Sequence, residues 1–159
     1  MPRIRRDRLR RIAAAGAGAA ALVTVLAACS KPTPDVTVQS GSTSTVVKPQ
    51  TYCFDATQKY CHFNTGKVAT LTVKSGATVF VDVPREVETK GWQARSLVSV
   101  GSNKFKAVGG ALTSSQGVVH GSHSVRLDVP EGLGSYYLVV TQQSAGAIGS
   151  WITRITVQR

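Results

Sequence analysis

The chain has 159 residues, with 19 basic and 8 acidic side chains and a formal net charge of +11. Six of the arginines and one aspartate precede residue 12, so the remainder keeps 13 basic and 7 acidic groups, or +6. That length supports one domain around one core, and lysines scattered without an interleaved aromatic module argue against nucleic-acid recognition.

Residues 1–11 carry Arg3, Arg5, Arg6, Arg8, Arg10 and Arg11, the positive start of an export signal. Residues 12–28 hold no charge and gain bulk from Leu22, Val23, Val25 and Leu26. Such a run serves as a cleaved apolar segment, or as an uncleaved anchor near the lower limit of about 17 residues for a spanning helix. Either way the chain after residue 29 lies outside the cytoplasm. Arg8 stands where a twin-arginine signal resembles an apolar residue, so the leader reads as Sec-type.

Leu26-Ala27-Ala28-Cys29 resembles the lipobox of bacterial lipoproteins. The resemblance implies a signal peptide over residues 1–28, cleavage after Ala28 and a diacylglyceryl thioether on Cys29, with palmitate-like chains. Each buried methylene contributes about 0.8 kcal/mol, and two chains hold a protein stably where one does not. Residues 29–35 then form a tether, which Pro32 and Pro34 keep extended at roughly 3.1 Å per residue. The domain follows over residues 36–159.

With Cys29 acylated, Cys53 and Cys61 remain as an even pair in an oxidising compartment. The expected disulfide closes a small loop and contributes about 2 to 3 kcal/mol in the chain-entropy model. A redox or metal pair would want CxxC spacing, and His62 beside Cys61 lacks the further ligands of structural zinc.

From residue 36 the apolar pattern has period two. Val36 and Val38 alternate with Thr37 and Gln39, and residues 41–44 break the run. Ala69, Leu71 and Val73 predict a half-buried strand, Ser75-Gly76 a turn, and Val79, Val81 and Val83 its hairpin partner. Pro84 ends that strand and residues 85–91 are a charged connection. Trp92, Ala94, Ser96, Val98 and Val100 form the next inward set, followed by a turn at residues 101–104 and by Phe105 and Ala107. Residues 108–122 are rich in Gly and Ser, with Val118-Val119 as a short edge strand. Val125, Leu127 and Val129 alternate before Pro130. Residues 136–140 are apolar on both faces, as in a central strand, and Trp151, Thr153, Ile155 and Val157 close the chain.

Seven or eight short strands and no convincing helix predict an all-β fold, a single antiparallel β-sandwich. The architecture is Ig-like at most, because Cys53 and Cys61 are too close in sequence to bridge two distant strands. Val81-Asp82-Val83-Pro84 recurs as Leu127-Asp128-Val129-Pro130, which reads as one local way of ending a strand.

His120 and His123, with Asp128 and Glu131, are the best metal candidates. Open catalytic zinc needs three protein ligands, and a copper carrier would want thioethers, yet Met1 is the sole methionine. No metal and no cofactor is expected. Asp82, Glu86 and Glu88 lie among Arg85 and Lys90, as in a solvated turn. There is no Gly-x-Ser-x-Gly, His-Glu-x-x-His or phosphate loop. Trp92 and Trp151 are expected in the core; an exposed Trp beside a Tyr would mark a carbohydrate or peptide groove.

The lipobox, the Cys-Ser-Lys-Pro-Thr-Pro tether, Cys53 and Cys61, the Lys90-Gly91-Trp92 step and the closing Trp151-Ile152-Thr153-Arg154 strand together resemble an uncharacterised family of lipoproteins from high-GC Gram-positive bacteria. The resemblance implies an envelope lipoprotein and no particular reaction. The expected function is a non-enzymatic binding or accessory module, lipid-anchored on the outer face of the cell membrane. Its partner would be another envelope protein or a wall polymer, with residues 108–122 as the contact region. The alternative is a metal-dependent or hydrolytic envelope enzyme using His120 and His123. A small-ligand carrier, the third reading, requires a roomy apolar cavity.

Overall fold

The structure is a computed structural model that describes residues 31–55, 57–102, 104–108, 121–143 and 147–159. Ala28, Cys29, Val118, Val119 and His120, with nearly all of the expected contact region, lie outside the described residues. Contacts divide the chain into Met1–Pro32 and Thr33–Arg159, and the fold below is that of the second unit. No helix among the described residues is long and apolar enough to cross a membrane.

The described strands in chain order are β1 (Val36–Ser40), β2 (Thr43–Val47), β3 (Thr51–Cys53), β4 (Cys61–Phe63), β5 (Ala69–Lys74) and β6 (Thr78–Asp82). After a single helical turn, α1 (Arg85–Glu88), come β7 (Trp92–Gly101), β8 (Lys104–Ala107), β9 (Ser124–Asp128), β10 (Ser135–Gln143) and β11 (Ala147–Gln158). The smaller sheet has the order β2-β1-β6-β9. The larger runs β4-β3-β11-β10-β7-β8, with β5 also against β11. The all-β sandwich read from the alternation is therefore the fold.

Alternation works because successive side chains on a strand point to opposite faces. Val36, Val38, Val79 and Val81 are fully buried from the smaller sheet, and they share one core with Leu71, Leu138, Val140 and Ile155 of the larger. Each such side chain contributes roughly 1.5 to 3 kcal/mol by leaving water. Val125, Leu127 and Val129 follow the same rule, with the last two buried.

The predicted β5–β6 hairpin does not form. The turn at Ser75 carries the chain from one sheet to the other. β5 runs parallel to β11, from Ala69 opposite Thr153 to Lys74 opposite Gln158, while β6 pairs β1 and β9. The sandwich is thus antiparallel except for this pair among the described strands. Val100 is also misplaced by the pattern, being 57% exposed. Pairing between β7 and β10 stops at Leu97, and beyond it β7 is held by β8 alone.

Two segments read as breaks or loops are ordered: residues 43–47 form β2, and Cys53 and Cys61 lie in the β3–β4 hairpin. The charged connection contains α1, pinned by the fully buried Val87. β6 and β9, which carry the recurrent motif, are neighbours, and a proline follows each strand end by two residues.

Candidate functional site

Two regions of the surface are chemically distinctive. The first surrounds the start of β1. Pro34 is buried, and its carbonyl accepts a hydrogen bond from the Trp151 indole N–H at 2.9 Å. The compact unit accordingly begins at Thr33, so part of the expected tether belongs to the domain. Trp151 lies against Tyr52, with ring centroids 6.1 Å apart, and Tyr52 meets Phe54 edge-on at 5.2 Å. The Trp151 ring covers Gly149, where an added Cβ would stand 2.6 Å from Cη2. Burial, and then the Glu86 carboxylate, push the Tyr52 phenol above its ordinary value. Trp92 plays a parallel part, its indole donating to Ser122 O at 2.9 Å. Both tryptophans are core residues, as expected, so the condition for an exposed-Trp groove is not met.

Cys53 and Cys61 form a disulfide across the β3–β4 hairpin. Phe54 donates to Tyr60 O at 3.0 Å, which places the cysteines at the neighbouring non-hydrogen-bonded position. Such pairs approach to about 4.5 Å, and here the Cα atoms are 4.0 Å apart. The tip is closed by Asp55, whose Oδ1 accepts from the Thr57 hydroxyl at 2.7 Å and from the Lys59 N–H at 3.2 Å. The Thr57 hydroxyl, followed by backbone N–H groups, holds this exposed carboxyl below its ordinary value.

The second region is the outer face of the larger sheet. Tyr137 stands opposite Leu97 and Arg154, and Val139 opposite Arg95 and Ile152. The four apolar side chains are half-buried and the arginines exposed. Phe105 meets Tyr137 edge-on at 5.9 Å and is 56% exposed. Arg95 Nη2 donates to Gln93 Oε1 at 3.0 Å, which fixes its position. The strands of this sheet carry Lys74, Arg95, Lys104, Lys106 and Arg154, and no Asp or Glu. Sequence reading missed this face, because period two marks the inward set and leaves the outward one unexamined. A signal was present: no acid occurs between Glu88 and Asp128, or after Glu131.

The remaining candidates do not converge. His123 precedes β9, with its carbonyl accepting from Val83 N at 2.7 Å, whereas Asp128 ends that strand. Five extended residues span about 16 Å, so the histidine and the acids Asp128 and Glu131 are at opposite ends. Among the described residues no three His, Cys, Asp or Glu side chains are grouped to hold a metal. Glu86 and Glu88 lie on α1, beyond the end of β6 that carries Asp82. A cleft of about 560 Å³ at the opposite end of the sandwich is lined by Ser40, Ser42, Thr43, Thr72, Lys74 and Gln158, with Val73 and Ala77. Its lining mixes these polar groups with apolar surface and it opens widely to solvent, unlike the enclosed apolar cavity that a small-ligand carrier would use.

Fold and surface together define a small β-sandwich with a disulfide-clasped hairpin and a cationic, partly apolar sheet face. Over residues 29–131 the chain matches the family described as "Protein of unknown function (DUF2771)", and it belongs to that family. The match stops before β10 and β11, the two central strands of the larger sheet. No curated protein and no solved structure matches the chain.

Proposed function

We propose that the chain is a lipid-anchored protein of the cell envelope that acts by binding, with the outer face of the larger sheet as its contact surface. The observation that carries the reading is the set of acid-free strands in which Arg95 and Arg154 frame Leu97, Tyr137, Val139 and Ile152. Cations without neighbouring acids select an anionic partner. Apolar side chains and the exposed Phe105 beside Tyr137 add apolar surface for the faces of sugar rings. An acidic wall polymer combines both features.

The anchor rests on Leu26-Ala27-Ala28-Cys29, with cleavage after Ala28 and acylation of Cys29. The family match begins at Cys29, and the Cys53–Cys61 disulfide suits an oxidising, extracytoplasmic compartment. Mass spectrometry of the mature protein is expected to find a diacylglyceryl thioether on an N-terminal Cys29.

Co-sedimentation of the acylated protein with purified acidic wall polymer tests the binding role. Binding is expected to weaken with salt. Arg95→Ala with Arg154→Ala should reduce it about tenfold. Binding that ignores both the salt and the double substitution would refute the assignment. Stoichiometric zinc in the purified protein would instead favour a metal-dependent hydrolase using His120 and His123.

A further inference from the structure

We infer that the β3–β4 hairpin is a membrane-contact element, seating Phe54, Tyr60 and Phe63 in the headgroup region of the bilayer. The inference deepens the lipid-anchored reading above and rests on it.

Two independent observations meet at this hairpin. One is exposure: Tyr60 is 72% and Phe63 67% exposed. Tyr60 and Phe63, on opposite faces of the hairpin, and the part of Phe54 that Tyr52 leaves bare would be costly to leave in water if nothing covered them. Aromatic side chains favour the interface between headgroups and acyl chains, and Lys59 at the tip adds a cation suited to anionic lipid.

The other is where the anchor arrives. Four residues lie between Cys29 and Pro34, and the five steps from one to the other reach about 17 Å at full extension. Pro34 is hydrogen-bonded to Trp151, Trp151 packs on Tyr52, and Tyr52 packs on Phe54. A lipid on Cys29 therefore tethers the hairpin end of the sandwich close to the bilayer. Phe105, by contrast, follows the β7–β8 turn, at the end of β7 remote from Trp92.

The hairpin is also built to keep its shape while loaded. The disulfide joins its arms, and Asp55, the one acid in it, is engaged by Thr57 and Lys59 within the turn. Little conformational freedom is left for membrane contact to remove.

The test uses the full acylated protein in vesicles of equal parts phosphatidylethanolamine and phosphatidylglycerol with brominated acyl chains. Tyr60→Trp and Phe63→Trp report the hairpin and Phe105→Trp the opposite end, over a constant background from the buried Trp92 and Trp151. Emission from the hairpin reporters should shift to the blue and fall about twofold, while Phe105→Trp should change little. Hairpin reporters that emit as in water, quenched no more than Phe105→Trp, would overturn the inference. The mass of the same sample separates the two readings. Acylated protein with unquenched hairpin reporters sinks the contact element and leaves the anchor standing. Unacylated protein whose hairpin reporters are still quenched supports the contact element and removes the anchor.

Discussion

Where β1 begins, two indole N–H groups hold irregular chain against the sandwich, Trp151 binding Pro34 and Trp92 binding Ser122. At the other end the chain turns through Gly41, Gly76 and Gly132, each in the left-handed region. The first bond spans 117 residues, whereas the turns join neighbours. A buried aromatic with a single polar atom can tie remote segments together, because an unsatisfied indole N–H would cost more than the bond itself contributes. A glycine turn only lets the backbone reverse.

The largest expected effect falls on the aromatic end. Trp151→Ala removes the ring that covers Gly149, supports Tyr52 and holds Pro34, and should cost about 3 to 5 kcal/mol in denaturant unfolding. Val100→Ala at the opposite end should stay within about 0.5 kcal/mol. Equal costs would break the comparison. Next, Cys53→Ser with Cys61→Ser should lower stability by about 2 to 3 kcal/mol, with a similar loss when the native protein unfolds under reductant.

Two pH titrations sharpen the contrast. Tyr136, near the glycine-turn end, has its phenol pushed by burial from 10.0 up to about 12. Raised values favour the protonated fold, so this stability is complete below pH 10.0 and lost as pH rises through about 12. Ultraviolet titration of the phenols during alkaline unfolding measures it. The smallest effect belongs to Asp55, whose carboxyl is lowered chiefly by the Thr57 hydroxyl. Its contribution is present above 3.8 and disappears as pH falls through the lowered value. A lower protection of the Lys59 amide against hydrogen exchange in acid, relative to its intrinsic rate at each pH, would record the turn loosening, and Asp55→Ala should abolish that pH dependence.

What the sequence made legible was the face of each strand, and what it left out was the partner. Leu71 and Val79 alternate in the same way, yet one strand joins β11 and the other joins β1 and β9. Alternation reports burial on one side and says nothing about the neighbour across the ladder, especially for a parallel pair brought together across the chain. Val100 shows a related limit, since an apolar residue in phase with a core set is buried only while its strand is still covered. Trp92 and Trp151, and the Cys53–Cys61 pair, were readable because size and an even cysteine count constrain their fate directly. The cationic sheet face was hidden by attention to the inward set, although its lack of acids is visible in the bare sequence.

Because Pro34 is fixed by Trp151 two residues before β1, a pull on the amino-terminal segment is not delivered to the first strand alone. Force arriving from that side is transmitted through the indole to β11, and from there into β10, its longest-paired neighbour. The bond to the Pro34 carbonyl must then give way before β1 begins to peel from β2 and β6.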